Sequence, residues 1–441
     1  MQPAPYVGPG QVAWFQFGVK APLIPGTYRL AIRPLVEGAL WLEDYGVFWI
    51  VTVLQPDGSP PAAAGPSGST PVAFTSFDVA AGAHAGTSGA GGSVRLTEGT
   101  TAGSWTSLWA TTAFGFSELV ASWNADTPAG SWIEIAMQAT PDGVRETAWY
   151  ALGRWAYGDG DIARSSVNGQ SDGDGTILTD TFRTHGQTMR AYRLRVTLHR
   201  GAATMPTPAL TLAAAVASDW RAARPLIPSP VGAAAGATLA VPPYSQEIHA
   251  GEYPQYDGGG EAWCSPTSTA MVLSYWGRGP SADELAWVDP RFADPQVDHA
   301  ARFTYDQAYR GTGNWPFNTA YAARFGLRGF VTQLRSLAEA ERFLAAGIPL
   351  VASITVGPNA LPGFLFGQGT AGHLLVIVGV TAAGDVVAND PAATNNATVR
   401  RVYPRAAFER SWLLGSGGTV YVIHPDSVAL PPRLEGHTAN W

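Results

Sequence analysis

The chain has 441 residues, of which 46% are hydrophobic and 14% are charged, and its formal net charge is −7. This composition excludes a largely disordered chain, and the lack of any Lys/Arg run excludes a basic surface for nucleic acid. No stretch of about 18 uncharged apolar residues occurs, so no membrane span is predicted. The length indicates several domains, and the 51 Gly and 34 Pro favour many turns and short strands.

The first 54 residues have the pattern of β-strands. VAWFQFGV and PGTYRLAIRPL alternate apolar and polar residues, and VFWIVTVL is rich in β-branched and aromatic residues. The run PGTYRLAIRPLVEGALWLEDYGVFWIVTV resembles the last strands of a bacterial immunoglobulin-like module, which predicts a partial module over residues 1–54. Half a sandwich would leave an unpaired sheet edge, so we expect further strands upstream. MQPAPYVGPGQ lacks the charged and apolar regions of a signal peptide.

A second β-rich block, residues 71–218, follows a Pro/Gly/Ala/Ser linker at residues 55–70. Segments such as LVASWNADTPAGSWIEIAMQAT and RAYRLRVTLHR alternate in polarity, which predicts an accessory domain with a β-sandwich or jelly-roll fold. Its tryptophans have two interpretations, a packed core, which we favour, or a stacking platform for a cell-surface glycan. These tryptophans are Trp105, Trp109, Trp123, Trp132, Trp149 and Trp155.

Two Asp/Gly clusters, YGDGDIARSS and QSDGDGTIL, lie inside this block. Their carboxylates, Asp159, Asp161, Asp172 and Asp174, could supply oxygen ligands to Ca²⁺. Neither cluster fits the twelve-residue EF-hand loop, which needs a distal Glu, and turns are the commoner use of Asp and Gly. We therefore predict turns at both clusters and no metal site.

Helical signals begin only after a second linker, rich in Pro, Ala and Gly, at residues 219–239. Ser281 opens a capping box before ELAWV, and Asn318 is a candidate cap for TAYAARF. The strands IPLVASITV, HLLVIVGV and TVYVIH come later in the chain. Helices first and strands after is the order of an α+β domain with an antiparallel sheet, which we place at residues 240–426, before a tail at 427–441.

The single cysteine, Cys264, comes directly before a predicted helix in EAWCSPTSTAMVLSYWG. Pro266 suits a first helical turn, and the apolar residues that follow recur at helical spacing until Gly277. The dipole and free N–H groups of a helix N-terminus favour a thiolate, the reactive form of cysteine. Most free cysteines are buried small hydrophobes, but a cysteine used for packing would lie on the apolar face of the helix, not ahead of it.

A thiolate nucleophile needs a base, and the base needs an acceptor that orients it. His373 directly precedes the apolar strand LLVIVGV, and the next strand ends in Asn389–Asp390–Pro391. In a hairpin, His373 and Asp390 reach the same end of the paired strands, and the following proline holds Asp390 extended. A histidine at a strand start is more often structural, but its combination with Cys264 indicates a Cys–His–Asp triad.

Four segments in this order resemble the bacteriocin-leader-peptidase-like family, which is family thirty-nine of the cysteine peptidases: VPPYSQ, WCSPTSTAMVLSYWG, AGHLLVIVGV and VVANDP. The resemblance spans residues 240–426 and implies a papain-like fold. It also implies that Cys264 is the nucleophile, His373 the base and Asp390 the third member of the triad.

The same resemblance implies a glutamine upstream of the cysteine that stabilises the oxyanion, a role whose loss typically costs about a hundredfold in rate. Gln246, in VPPYSQ, matches the motif and is favoured, whereas Gln255, in YPQYDGGG, is nearer to Cys264 and is the alternative. The chain departs from the transporter-attached members of the family because it has no Walker A motif and no following membrane domain.

We therefore expect a stand-alone, exported bacterial cysteine peptidase that cleaves a peptide or protein substrate outside the cell or at its surface and needs no cofactor. One alternative is a cell-wall amidase of papain-like fold, although such enzymes usually carry a second histidine as the third group. The other is a catalytically inert protein whose β domains bind a glycan or surface, against which all three triad positions are filled with competent residues.

Overall fold

The computed structural model describes residues 18–19, 26–31, 35–36, 40–41, 48–54, 71–222, 228–434 and 437–441. The chain divides into two compact units, Met1–Gly68 with Ala223–Leu226 and Ser69–Ala222 with Ile227–Trp441. A search of the described residues finds no helix long and apolar enough to cross a membrane.

The described strands of the first unit form antiparallel pairs. β1 (Gly26–Ala31) pairs with β4 (Phe48–Val53), and β2 (Leu35–Val36) pairs with β3 (Leu40–Trp41). The rest of the predicted immunoglobulin-like segment and the whole of the predicted linker at 55–70 lie outside the described residues. The immunoglobulin-like assignment therefore stays a prediction.

Residues 72–218 form two antiparallel sheets around a shared hydrophobic core. The strands are β5 (Val72–Ser76), β6 (Ala83–Ala85), β7 (Thr87–Ser88), β8 (Val94–Leu96), β9 (Ala102–Thr106), β10 (Ala110–Phe116), β11 (Glu118–Asp126), β12 (Ser131–Thr140), β13 (Tyr150–Trp155), β14 (Gly175–Leu178), β15 (Thr181–Thr184), β16 (Met189–Arg200) and β17 (Ala209–Ser218). One sheet has the order β13-β12-β16-β9-β6 with β10 beside β16, and the other has the order β14-β15-β11-β17-β8-β7 with β5 beside β17.

The two sheets differ in how their strands are buried. Strand β16 alternates buried and partly exposed residues over much of its length, as expected when one face packs on a core and the other meets solvent. Strand β11 is buried at every position except Asp126. Its second face is covered by the C-terminal domain, because Asn124 of β11 hydrogen-bonds to the backbone of Gly329.

The C-terminal domain has helices on an antiparallel sheet. The helices are α1 (Cys264–Tyr275), α2 (Ala282–Leu285), α3 (Pro295–Thr304), α4 (Trp315–Ala323), α5 (Leu337–Ala345) and α6 (Arg405–Ser416). The strands are β18 (Arg328–Gln333), β19 (Leu350–Val356), β20 (Thr370–Val380), β21 (Val386–Asn389), β22 (Arg400–Tyr403) and β23 (Thr419–His424). Their order in the sheet is β18-β23-β19-β20-β21-β22. The predicted fold class, a β-rich N-terminal part followed by an α+β domain, is confirmed.

Helix α1 is buried on almost every side, which places Cys264 against the sheet. Two of its serines hydrogen-bond to neighbours across the interface. Ser265 Oγ lies 2.9 Å from the Tyr421 hydroxyl, and Ser268 Oγ donates to the carbonyl of Leu374 at 3.3 Å. Polar groups that are paired in this way can be buried without a large penalty.

Residues on either side of the C-terminal domain are bound to it. In the segment assigned as a linker, the Gly232 N–H donates to Glu341 Oε2 at 2.7 Å, and the Leu239 N–H donates to the carbonyl of Val378 at 2.7 Å. In the segment assigned as a tail, Asn440 is buried and donates to Glu339 Oε2 at 2.9 Å. The segments assigned as a linker and as a tail thus both hydrogen-bond to the C-terminal domain.

Candidate active site

Cys264 is the first residue of α1 and is half-buried. The residue before it, Trp263, is fully buried and donates its indole N–H to the carbonyl of Tyr256 at 2.6 Å. This anchor fixes the chain where the helix begins. The first N–H groups of a helix have no partner within the helix, so the backbone N–H of Cys264 is suited to bind an oxyanion.

His373 lies in β20 opposite Ile354 of β19 and is buried. The hairpin of β20 and β21 pairs Val376 with Asn389, which brings Asp390 to the same end as His373. His373 Nε2 lies 2.7 Å from Asp390 Oδ1. With Nε2 directed at the carboxylate, Nδ1 is the ring nitrogen that can exchange a proton with a thiol.

Asp390 is fully buried and holds its partners with both carboxylate oxygens. Oδ1 also accepts from the Ala392 N–H at 3.1 Å, and Oδ2 accepts from the Tyr403 hydroxyl at 2.6 Å. Burial alone would raise the pKa of this carboxyl, but the facing His373 and these hydrogen bonds lower it below its usual value. The residue is therefore an ionised acceptor beside the imidazole.

The electrostatics of His373 follow from the same contacts. Burial lowers its pKa, but the charge of Asp390 and the hydrogen bond to it, together with the nearby Cys264, raise the pKa of His373 to about 10. An imidazolium is thus favoured next to the cysteine. A positive charge in that position stabilises a thiolate, the reactive form.

Gln246 is buried beside the segment that leads into Cys264. Its Nε2 donates to the carbonyl of Glu261 at 2.5 Å, and its backbone N–H donates to the carbonyl of Pro391, the neighbour of Asp390. A primary amide has two N–H donors, of which the Glu261 carbonyl takes one. The alternative, Gln255, lies in an exposed turn.

Side chains from two other parts of the fold lie next to His373 and Asp390. Tyr403 supports Asp390 from β22, a strand that is adjacent to β21 only in the folded sheet. Phe364 and Phe366, in the loop before β20, each place a ring centroid 5.8 Å from that of His373 in an edge-on arrangement. The loop therefore covers one side of the histidine with apolar rings.

The Asp/Gly clusters of the sandwich use their carboxylates on the protein itself. Asp159 binds Arg164 and Arg302, and Asp161 accepts from the Gly130 N–H. In the second cluster, the carboxylate of Asp172 accepts from Tyr150 and from backbone N–H groups, and that of Asp174 binds Arg145. In the described part of the chain these carboxylates are not among the residues grouped closely enough to hold a metal ion.

The sandwich tryptophans fall into two groups, apart from Trp132, which is partly buried and stacks on His199 with ring centroids 3.8 Å apart. Trp105, Trp123 and Trp155 are buried and belong to the core. Trp109 and Trp149 are only partly buried, and the guanidinium of Arg193 lies 4.5 Å and 5.4 Å from their ring centroids. Core packing accounts for the first group, and stacking on arginine occupies the second.

Two segments of the chain match known protein families. Residues 73–218 match the Peptidase C39 N-terminal domain, and residues 238–419 match the Peptidase_C39 like family. No curated protein matches the chain. A solved structure titled "Structure of infectious bursal disease virus Gt strain" is 10% identical with a TM-score of 0.19, over 46% of this chain and 53% of that chain, a similarity too low to support an argument.

Proposed function

Because the chain belongs to the C39 peptidase-like family, we propose that it is a cysteine peptidase in which Cys264 is the nucleophile. The observation that carries this proposal is the buried contact between His373 and Asp390, 2.7 Å long, next to a cysteine at a helix N-terminus. The family match supports peptidase chemistry in general. The roles of individual residues rest on the geometry around His373.

In the proposed reaction, the Cys264 thiolate attacks a peptide carbonyl carbon, and the carbonyl π electrons move onto oxygen. When the C–N bond breaks, His373 gives the proton that it took from the thiol to the leaving amine. Water, deprotonated by the same imidazole, then attacks the thioester carbonyl carbon. The C–S bond breaks, which releases the carboxylic acid and restores the Cys264 thiolate beside the imidazolium. Asp390 keeps Nε2 occupied, so that Nδ1 performs each transfer.

The charge that develops on the carbonyl oxygen needs donors placed in advance. The backbone N–H of Cys264 is one, and the second N–H of Gln246 Nε2 is the other. Gln246 is well suited because the Glu261 carbonyl and the Pro391 carbonyl fix its side chain and its backbone, respectively. A donor that is already oriented requires no reorganisation when the charge appears.

Tyr403 has a supporting role in this proposal. Burial raises the pKa of Tyr403, and the charge of Asp390 raises it further, so the hydroxyl remains protonated and donates to the carboxylate. The second oxygen of Asp390 is thereby held, which orients the first toward His373. Tyr403 acts through Asp390 and does not contact the substrate.

The loop that carries Phe364 and Phe366 supplies apolar surface next to the base. Phe366 keeps 37% of its surface exposed, so it can still be covered by a ligand. We include in the proposal that an apolar residue of the peptide substrate, near the cleaved bond, packs on this surface. Loops on a rigid scaffold commonly carry such contacts.

Alkylation of Cys264 by iodoacetamide across a pH series tests the catalytic pair directly. At about pH 6 the native thiol should react at least tenfold faster than the thiol of His373→Ala, because the variant lacks the imidazolium that stabilises a thiolate. Equal rates that rise only above about pH 8 in both proteins would show that the pair does not exist.

Peptidase activity itself is tested by incubating the full chain with a protein-derived peptide library and identifying new termini by mass spectrometry. Cleavage should disappear in Cys264→Ala. Release of products from peptidoglycan without cleavage of any peptide would replace the proposal with a cell-wall amidase.

A further inference from the structure

A cluster of three ionisable side chains lies beside the candidate active site but takes no part in it. His249 ends the short turn Glu247–His249, Glu252 follows it, and Asp298 belongs to α3. His249 Nδ1 lies 2.7 Å from Glu252 Oε2 and 3.5 Å from Asp298 Oδ2. One ligand atom of each residue lies within 4.8 Å of the others.

The cluster is buried and its polar atoms are poorly satisfied. The side chains of His249 and Asp298 are completely buried, and that of Glu252 is 12% exposed. Among the described residues, Asp298 Oδ1 and His249 Nε2 have no hydrogen-bond partner, and Asp298 Oδ2 has only the 3.5 Å ion pair with His249 Nδ1. Buried polar atoms normally find partners, and each exception needs an explanation.

The cluster has more acidic groups than basic ones. Two carboxylates face one histidine, and within the described residues no arginine forms an ion pair with either carboxylate. With His249 protonated, the second carboxylate must either hold a proton or face a cation, because a buried charge is costly unless it is paired or coordinates a metal. A bound cation would satisfy both the charge and the carboxylate of Asp298.

We propose that His249, Glu252 and Asp298 bind a divalent zinc ion. Zinc accepts imidazole nitrogen and carboxylate oxygen at about 2.0–2.2 Å and is commonly held by three protein ligands and a water molecule. Calcium and magnesium prefer sites made entirely of oxygen with about six or more ligands, which this cluster does not offer. The nitrogen donor and the small number of ligands therefore favour zinc.

The spacing of the three donors is close to that of a zinc site. Ligand atoms in a tetrahedron around zinc lie roughly 3.3 Å apart, from bond lengths of about 2 Å. The 3.5 Å separation of His249 Nδ1 from Asp298 Oδ2 is near this value. The 2.7 Å separation from Glu252 Oε2 is shorter, so Glu252, the partly exposed ligand, would move outward by less than about 1 Å.

Zinc at this position would connect the segment before Cys264 to α3. His249 lies three residues after Gln246, and its ring centroid is 6.0 Å from that of Trp263. The chain at Gly260 packs tightly against the chain at Gln246, because a Cβ on Gly260 would lie 2.3 Å from the carbonyl oxygen of Gln246. A zinc ion would therefore stabilise the segment that carries the proposed oxyanion donor, but zinc binding does not depend on peptidase activity.

Zinc binding is best measured on the full chain carrying Cys264→Ala, because a reactive thiol next to His373 could bind zinc itself. After removal of metals with a chelator, zinc titration with elemental analysis should give one zinc ion per chain. Cobalt, as a spectroscopic probe, should give the visible bands of a tetrahedral site. Zinc should also raise the melting temperature by a few degrees, since it binds only the folded state.

Asp298→Asn and Glu252→Gln, each in the same background, should weaken zinc binding at least tenfold. Glu252→Gln is the safer variant for folding because its side chain reaches the surface. Asp172→Asn is the matched control, since this carboxylate belongs to the Asp/Gly cluster of the sandwich, and it should leave zinc binding unchanged. Absence of bound zinc, equal binding by Glu252→Gln, or saturation by calcium in place of zinc would each overturn the proposal.

Discussion

Asn124 of the sandwich and Gly329 of the C-terminal domain exchange hydrogen bonds in both directions. Asn124 Nδ2 donates to the Gly329 carbonyl at 2.7 Å, and the Gly329 N–H donates to Asn124 Oδ1 at 3.2 Å. Two residues further along the same edge strand, the Val331 N–H donates to Ser122 Oγ at 2.8 Å. Side chains of β11 thus satisfy backbone N–H groups on the open edge of β18, which would otherwise be available for aggregation.

This contact predicts that the two domains unfold together. Asn124→Ala leaves the N–H and carbonyl of Gly329 buried without partners, which should cost about 1–3 kcal/mol of unfolding free energy. Calorimetry should show one transition, shifted to lower temperature. The control is Asn168→Ala, which removes an exposed bond to the carbonyl of Ala308 and should change stability far less. Separate transitions of the sandwich and of the C-terminal domain would contradict the prediction.

A second prediction concerns the apolar part of the same interface. Phe317 of α4 is fully buried, with ring centroids 6.0 Å from Trp123 and 5.3 Å from Trp155. Phe317→Ala should therefore cost about 3–5 kcal/mol in denaturant unfolding, because it leaves a cavity in a rigid contact. Phe317→Leu, which fills most of the volume, should recover more than half of the loss. An effect below about 1 kcal/mol would mean that the interface is loosely packed.

The interface could not be predicted from local pattern. Alternation in LVASWNAD correctly predicted a strand, but the pattern does not reveal that Ser122 and Asn124, on the polar face of β11, contact another domain. Their partners are about two hundred residues away in sequence. Only the fold brings a strand with polar side chains to the edge of the second sheet.

Helix starts were predicted with mixed success, for a physical reason. The capping box at Ser281 is confirmed, because its side chain and that of Glu284 both bind the expected backbone groups. The cap predicted at Asn318 is wrong. Helix α4 begins earlier because Asn314 accepts from the Phe317 N–H and Pro316 fits a first turn, so Asn318 lies inside the helix. Both asparagines suit a cap by residue type.

The candidate site, too, was predicted only in part. Sequence pattern assigned Cys264 to a helix start and placed His373 and Asp390 at one end of a hairpin, and the structure brings the last two within hydrogen-bonding distance. Tyr403 was not predicted because it lies one strand beyond Asp390, with a helical turn and a loop between them in the chain. A hydroxyl that supports a buried carboxylate becomes recognisable only when the strand order is known.

A third prediction separates the two glutamines. Gln246→Ala should lower kcat/KM about a hundredfold or more, because it removes a donor aimed at the developing oxyanion. Gln255→Ala should leave kcat/KM within about twofold, since its side chain is exposed. The rate of Cys264 alkylation should stay unchanged in both variants, which distinguishes a lost oxyanion donor from a disturbed nucleophile. Equal losses in the two variants would remove Gln246 from the proposed site.

A fourth prediction follows from the pair of His373 and Asp390. The pKa of His373 is raised from 6.5 to about 10, so its contribution to stability is complete below pH 6.5 and is lost as the pH rises toward 10. The pKa of Asp390 is lowered from 3.8, so its contribution is present above pH 3.8 and is lost in stronger acid. The pair therefore stabilises the protein most between pH 3.8 and pH 6.5.

Asp390→Asn tests this window, because an amide cannot hold an imidazolium by charge. The difference in melting temperature between the native protein and the variant should be largest at about pH 5.5 and should shrink steadily toward about pH 10. Tyr403→Phe keeps the charge pair and should show a smaller difference with a weaker dependence on pH. The melting temperatures should be measured from pH 5 to pH 10 in steps of roughly half a pH unit. If their difference is constant over this range, the pair is not charged in the folded state.

The last prediction concerns the apolar loop beside the base. Phe366→Ala removes a ring that lies edge-on to His373 and is partly exposed, so it should raise KM for peptides with an apolar residue near the cleaved bond. Lost burial of one aromatic contact is worth roughly 1–3 kcal/mol, which corresponds to about a fivefold change or more, while kcat should change little. Leu361 is buried, so deletion of the whole loop would disturb folding, and a single substitution is the sharper test.

Val402→Ala is the control, since Val402 is an exposed apolar residue on β22 whose side chain is 53% exposed. If both variants leave KM unchanged, the loop covers His373 without selecting the substrate; if kcat falls with KM constant in Phe366→Ala, the ring instead positions the imidazole.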